Sequence, residues 1–291
     1  MNLSKVIFIG NARGFASGQI RCVDIATRLG CDYTLGGFSV PELTERYTVF
    51  VCVKSALGRD DRTLIARKGM VVWDVIDALP PRENVAVYLV STTTARERFA
   101  RFGRVEVIPH HHCNFDNPPN PPTLRRPVWL GARHWLPPLP GVEFDAYYVE
   151  ELTQEKIIEI FRQTGIGLNL RLARAPTYRN RVAPRLALKP EIVKRIEKGI
   201  LDFHLAVNSG IKLINNIGFG TPSVSSDEPA YREIGPECTI FSSPNNCAEA
   251  VRALQNDNDL YNELRGNCLR RAPEFHVDAI VRKYEALLRS L

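Results

Sequence analysis

The chain has 291 residues, 44% of them hydrophobic and 24% charged, the balance of a globular protein with room for two cores. No run of about 18 apolar residues occurs, so no membrane-spanning helix is predicted, and the short apolar opening ending in Gly10 marks a first strand rather than a signal peptide. The net charge of +6 suits anionic ligands such as nucleotide diphosphates, or an anionic bilayer surface. A nucleic-acid partner is not predicted, because the basic cluster at 171–185 contains Tyr178 as its only aromatic platform.

Residues 6–9 are predicted to form a strand, 10–18 a glycine-rich turn and 19–29 a helix. Gly10 and Gly14 would let the backbone approach a ligand, and a helix N-terminus favours anions. The spacing is not G-x-G-x-x-G, and a plain tight turn explains the glycines equally well. Further strands are expected at 47–53, 69–74 and 85–90, a helix at 93–102, and an extended segment at 105–116. Continuous apolar runs alternating with short helices predict a parallel sheet covered on both faces. Residues 117–122 read Asn-Pro-Pro-Asn-Pro-Pro, which cannot enter a helix or a central strand. The domain boundary is placed there, dividing the chain into 1–118 and 119–291.

The second half opens with a strand and glycine turn at 127–133, then a strand at 144–148, a helix at 155–164 and a strand at 165–171. A basic, proline-containing insertion follows at 174–190 and a helix at 191–201. Residues 212–219 read as a helix stopped by Gly220 and Pro222, 222–225 as a buried strand, and 226–229 as a loop at the sheet edge where open α/β folds bind ligands. Amphipathic helices close the chain at 257–269 and 277–290. Its seven cysteines include no C-x-x-C pair, as expected of reduced, buried thiols in a cytosolic protein without structural zinc.

The stretch from Ser209 to Ile234 resembles the donor-binding segment of GT-B glycosyltransferases, of the family 4-like, bacterial polysaccharide type. A basic residue, an amide, a Gly-x-Pro step and a downstream glutamate fall on Lys212, Asn215, Gly220-Thr221-Pro222 and Glu233. Gly165-Ile-Gly-Leu-Asn-Leu-Arg171 and Val105-Glu-Val-Ile-Pro109 resemble two further family strands. The resemblance implies two Rossmann-like parallel-sheet domains facing a cleft, and transfer of a sugar from a nucleotide-sugar donor to a saccharide or glycolipid acceptor. It implies no metal and no cofactor beyond the donor itself, with a cytoplasmic protein associating peripherally with a membrane. It also implies a donor site drawn from Arg133, Arg171, Ser209, Gly210, Asn215, Asn216, Thr221 and Glu233, the last as a ribose ligand. In the first domain the loop of Gly10, Arg13, Gly14 and Ser17, with Arg21, would face acceptor or phosphate.

Lys212 is the leading catalytic candidate, because a cation can stabilise the charge of a departing diphosphate; the competing reading is a solvated helix lysine. Three consecutive histidines, His110 to His112, alternate faces and cannot converge on one ion. His110 is read as a base or acceptor contact, or equally as a buried structural histidine. Asp74 and Asp77 are alternative bases, and Glu228 is read as loop surface. Two glutamates separated by seven residues, frequent in retaining members, are replaced here by Val207 and Asn215. That departure keeps a catalytically inactive binding or scaffold protein as the alternative, with a nucleotide-sugar epimerase behind it.

Overall fold

The computed structural model describes residues 2–10, 18–54, 57–76, 83–115, 119–171 and 208–291. Arg13, Gly14, Ser17, Asp77, Asp116, Val207, the insertion at 174–190 and the helix expected at 191–201 lie outside the described residues.

Two parallel sheets form the framework. The first has the order β2-β1-β3-β4-β5-β6, built from Val6–Ile9 (β1), Asp32–Thr34 (β2), Val49–Val53 (β3), Met70–Asp74 (β4), Val87–Val90 (β5) and Val105–Val107 (β6). The second has the order β11-β10-β9-β7-β8, from Pro127–Gly131 (β7), Asp145–Tyr148 (β8), Ile166–Asn169 (β9), Ser223–Ser225 (β10) and Thr239–Phe241 (β11). Every described pairing is parallel. Strands β1, β3 and β5 are buried throughout, which is why they are unbroken apolar runs rather than alternating ones.

In each sheet the chain leaves the first strand to one side and returns to the other. The switch points lie between β1 and β3 and between β7 and β9. Crevices at the carboxyl ends of such strands are where doubly wound sheets take ligands.

Several elements depart from expectation. The helix at 19–29 begins as a wider π-type turn, Gln19–Val23, before the α-helix Asp24–Leu29. Strand β6 stops at Val107, and the segment beyond it becomes a connection between the domains. Strands β2 and β11 and the helices Val40–Arg46, Arg59–Lys68 and Cys247–Asn256 are not anticipated from the sequence pattern. The two strands have three residues each, too few to display a period. Helix Arg59–Lys68 buries only Ile65 completely, so it has almost no apolar stripe.

The last helix, Val277–Arg289, packs on the first domain rather than the second. Ile280, Tyr284, Leu287 and Leu288 join Val6, Phe8, Ile25 and Val49 in one core, each aliphatic side chain contributing roughly 1.5–3 kcal/mol by its burial. The first domain's core therefore includes the end of the chain.

The connection after β6 is tied to both sides. Arg21 donates to the carbonyls of Ile108 and Pro109 at 2.7 and 2.9 Å. The amide of His112 donates to Phe275 O at 3.0 Å, and Asn114 Nδ2 donates to Gly218 O at 2.7 Å. All seven cysteines are buried free thiols.

Candidate functional site

The switch point of the second sheet collects several buried or partly buried charges. Trp129, in the middle of β7, is fully buried and donates its indole N–H to Leu170 O at 2.8 Å. The Lys212 ammonium lies 4.5 Å from the centre of its ring, a cation–π contact worth about 0.5–2 kcal/mol. Gly131 makes this possible, since a Cβ there would stand 2.8 Å from Lys212 Nζ and from the Trp129 ring. Lys212 is carried by the helix Ile211–Gly218, which starts at Gly210 in the left-handed region (φ 62°). The residue as a whole is half-buried, but its ammonium is withdrawn from solvent. That desolvation, with Arg171 nearby and partly opposed by Glu228, lowers its pKa to about 7.

Arg171 follows β9. Its Nε forms an ion pair with Glu228 Oε1 at 3.1 Å, and its Nη2 donates to Tyr231 Oη at 3.3 Å. The Glu228 side chain is only 3% exposed, so it is not the loop-surface residue that the sequence suggests. The Asn208 amide donates to its other oxygen. Burial raises its pKa, while Arg171, Asn208 and Lys212 pull it back down.

Beside these charges lies a cavity of about 470 Å³ between the domains. Leu130, Val149, Leu152, Ile157, Ile158 and Phe161 make its walls, Lys212 and Asn215 close one side, and Gln19, Ile20 and Cys113 face it from the first domain. A slot of this composition accepts a flat, largely apolar group, while the cation beside it accepts an anion.

The structure brings some of the expected site residues together and scatters others. Lys212, Arg171, Ser209, Gly210 and Asn215 gather at or beside the switch point. Asn215 also accepts a 2.9 Å hydrogen bond from Cys113 N, tying the helix to the interdomain connection. Asn216 is also at the switch point, bound to β9, while Thr221 points elsewhere. Asn216 Nδ2 donates to Asn169 Oδ1 at 3.2 Å, and its amide fills the space over Gly167. Thr221 Oγ1 is held by Asn120 and Thr164 in a buried knot. Arg133 is exposed, stacked on Tyr148 at 3.9 Å and paired with Glu151.

Glu233 spans the domains: its carboxylate accepts from the backbone amides of Thr93 and of Thr94, the latter at 3.2 Å. It thus occupies the start of the helix Thr93–Phe99 in the first domain, where an anion is favoured.

Two first-domain candidates are placed where substrate chemistry is out of reach. Asp74, a candidate base on sequence grounds, is 0% exposed, doubly bonded by Arg21 at 2.7 and 2.9 Å, and accepts from Tyr284 Oη at 2.9 Å. Arg21 is consumed by the same pair and by the two carbonyls it holds, so it is not a phosphate ligand. Gly10 is needed for packing, since a Cβ would stand 2.7 Å from Leu35 Cδ2.

The three histidines go separate ways. His111 bonds Ile20 O and His112 O, both at 2.9 Å, and His112 Nε2 donates to Ala272 O at 3.2 Å. His110 is 2% exposed, and neither ring nitrogen has a hydrogen-bond partner among the described residues. Burial, then Arg21, His111 and Lys54, hold it neutral by lowering its pKa far below the usual histidine range.

Glu228, Trp129, Tyr231 and Asn208 are the site residues that sequence reasoning missed. A signal existed for Glu228: it closely follows a strand end predicted to lie at the ligand-binding edge. Its inward direction depends on Arg171, far earlier in the chain, and no local pattern records that pairing.

No family profile matches the sequence and no curated protein matches it. Solved structures do. HepE from Anabaena in complex with UDP is 12% identical, with a TM-score of 0.60 over 99% of this chain and 100% of that one. Sucrose-phosphate synthase from Thermosynechococcus elongatus is 10% identical, with a TM-score of 0.61 over 98% of both chains. AviGT4, a glycosyltransferase involved in avilamycin A biosynthesis, is 12% identical, with a TM-score of 0.59 over 98% of this chain and 97% of that one. The likeness establishes the fold: two Rossmann-like parallel-sheet domains in the GT-B arrangement.

Proposed function

We propose that the chain is a glycosyltransferase, moving a sugar from a nucleotide-sugar donor to a saccharide or glycolipid acceptor without a metal ion. The observation that carries this reading is the pairing, at the second domain's switch point, of a buried cation with an apolar slot open to the first domain. A nucleotide sugar has matching parts, a flat base and a diphosphate. HepE, of the same fold, binds UDP in its solved structure, and another HepE structure holds UDP-glucose.

In the proposed reaction the base enters the slot between Leu130 and Ile157, and the diphosphate lies toward Lys212, with Arg171 and the start of the helix Ile211–Gly218 nearby. When the bond between sugar and diphosphate breaks, negative charge grows on the leaving phosphate, and a fixed cation there lowers the barrier. Arg133, on the rim, meets the outer phosphate if its contact with Glu151 opens. His110, 2% exposed and held neutral far below the usual histidine range, is too weak a base to take the acceptor hydroxyl's proton, and its place in this reading is as a contact on the acceptor side. An inactive binding protein is the competing reading, favoured by Asn215, whose amide oxygen is engaged by Cys113 N.

Thermal-shift measurements against UDP, GDP and their sugar conjugates, followed by assay of sugar release and transfer with and without EDTA, test the reading. A raised Tm with one nucleotide and EDTA-resistant turnover is the expected result. Binding without any sugar release favours the inactive alternative, and no response to any nucleotide overturns both. Loss of transfer with EDTA, restored by manganese or magnesium, overturns the metal-independent mechanism.

A further inference from the structure

The charges around Lys212 do more than contact a donor, and their arrangement deepens the glycosyltransferase reading, on which its functional meaning rests. We infer that Glu228 is a positioning residue that holds Arg171 and Lys212 together as a charged pair at the switch point, readying the site for an anion before one arrives.

Two cations drawn into one partly desolvated corner repel each other, and each loses hydration. Arg171 remains charged under all ordinary conditions because of its guanidinium, so the strain falls on Lys212, which can shed its proton. Glu228 reaches the corner from the loop after β10. Its Oε1 pairs with Arg171 Nε at 3.1 Å but has no hydrogen-bond partner among the described residues. Its other oxygen is held by Asn208, which lies just ahead of Gly210, where the helix bearing Lys212 begins. The carboxylate is thus fixed to one cation, just beyond β9, and to the segment that positions the other.

A buried carboxylate with an unfilled acceptor is costly to keep charged unless cations face it. Here Arg171 and Lys212 both act on it, and it acts on Lys212 in turn. The other groups around Lys212 do not take over this role. Trp129, Gln19, Ile20 and Asn215 are neutral, and burial pushes the Cys113 thiol up to about 12. Among the described residues, Arg171 and Glu228 are the charged groups that act on Lys212.

The test follows the charge on Lys212 in the full-length chain without nucleotide. The pH dependence of its acylation by an amine-reactive anhydride is read by peptide mass spectrometry, since only the neutral amine reacts. The wild-type midpoint is expected near 7. Glu228→Gln should lower it by about one pH unit, because Arg171 is then unopposed, and Glu228→Asp should restore most of the shift. Arg171→Met should raise it. General loosening of the fold would move both variants the same way, toward an ordinary lysine, so opposite shifts identify the charge effect. An unchanged midpoint in both variants, or shifts of one sign, overturns the inference. Because no donor is present, these outcomes stand apart from the glycosyltransferase reading. A chain that transfers sugar with no shift sinks only this inference, and a chain that shifts but transfers nothing sinks only that reading.

Discussion

Each domain holds an arginine–carboxylate pair at the carboxyl end of its sheet, and the two pairs are built for different ends. Arg21 and Asp74 in the first domain are both 0% exposed, with the carboxylate engaged by two guanidinium nitrogens and the Tyr284 hydroxyl. Arg171 and Glu228 in the second meet at one ion-pair contact of 3.1 Å, the arginine side chain stays 24% exposed, and Glu228 Oε1 lacks a hydrogen bond among the described residues. The first pair has no capacity left for a ligand. The second keeps an unfilled acceptor, and Lys212, on which it acts, lines the cavity. Residue type does not separate an anchor from a site here; the count of satisfied groups does.

The largest expected effect tests the anchor. Arg21→Met leaves Asp74 buried without its countercharge and should destabilise the fold by about 3–5 kcal/mol, seen in urea unfolding. Adding Asp74→Leu should rescue the variant in part, because it removes the stranded charge. A loss below about 1 kcal/mol would put this pair in the same class as the second.

Lys212→Ala is the counterpart at the site. It should lower kcat by on the order of a hundredfold, with a smaller change in donor KM, because the cation acts mainly on leaving-group charge. Its Tm should hold or rise, since a desolvated ammonium is removed from the helix. Near-normal turnover in a folded variant would make Lys212 a packing residue and move the donor site toward Arg133 or Arg171.

Donor affinity should depend on pH in one direction. Lys212 is charged below about 7 and neutral above it, so nucleotide binding should weaken by up to about tenfold per pH unit above 7 as a proton must be taken up. Calorimetry in buffers of different ionisation enthalpy would detect that proton. A flat profile from about pH 6 to 8.5 would break the comparison at its functional side.

A pH effect of the opposite origin should appear in stability. Burial, with His276 and His111 nearby, lowers the His112 pKa to about 4. The folded value lies below the unfolded one, so this contribution is complete above about 6.5 and is lost as pH falls toward 4, amounting to roughly 3 kcal/mol. His112→Asn should flatten that part of the acid-unfolding profile.

The smallest effect is expected at Glu233. Glu233→Gln should cost about 1 kcal/mol or less, since it weakens a partly exposed carboxylate's contact with two helix amides. If it also opens the domains in small-angle scattering, Glu233 acts as a tie between them.

Much of the fold was legible in the chain. The strands β1, β3, β4, β5, β7 and β9 are apolar runs with nearby glycine, proline or polar breaks, and a buried parallel strand needs little else. The helix Ile211–Gly218 could be read from its periodicity and from Gly220, whose φ of 64° favours a residue without a Cβ. The site was legible around Lys212, where cation, amides and the Gly-Thr-Pro step lie within one short stretch. It was illegible at Asp74 and Glu228, whose roles are exchanged: the expected base is a sealed anchor, and the expected surface residue is buried in the site.

The sequence alone determined the local geometry, because backbone preferences and hydrophobic periodicity act between near neighbours. It settled the alternation of strand and helix and the concentration of candidate residues around Lys212. Only the tertiary structure decided which charges meet. Arg21 finds Asp74 across 53 positions and Glu233 reaches Thr94 across 139. Such pairings are selected by sheet order and by the cost of burying a charge alone, and both exist only once the chain has folded.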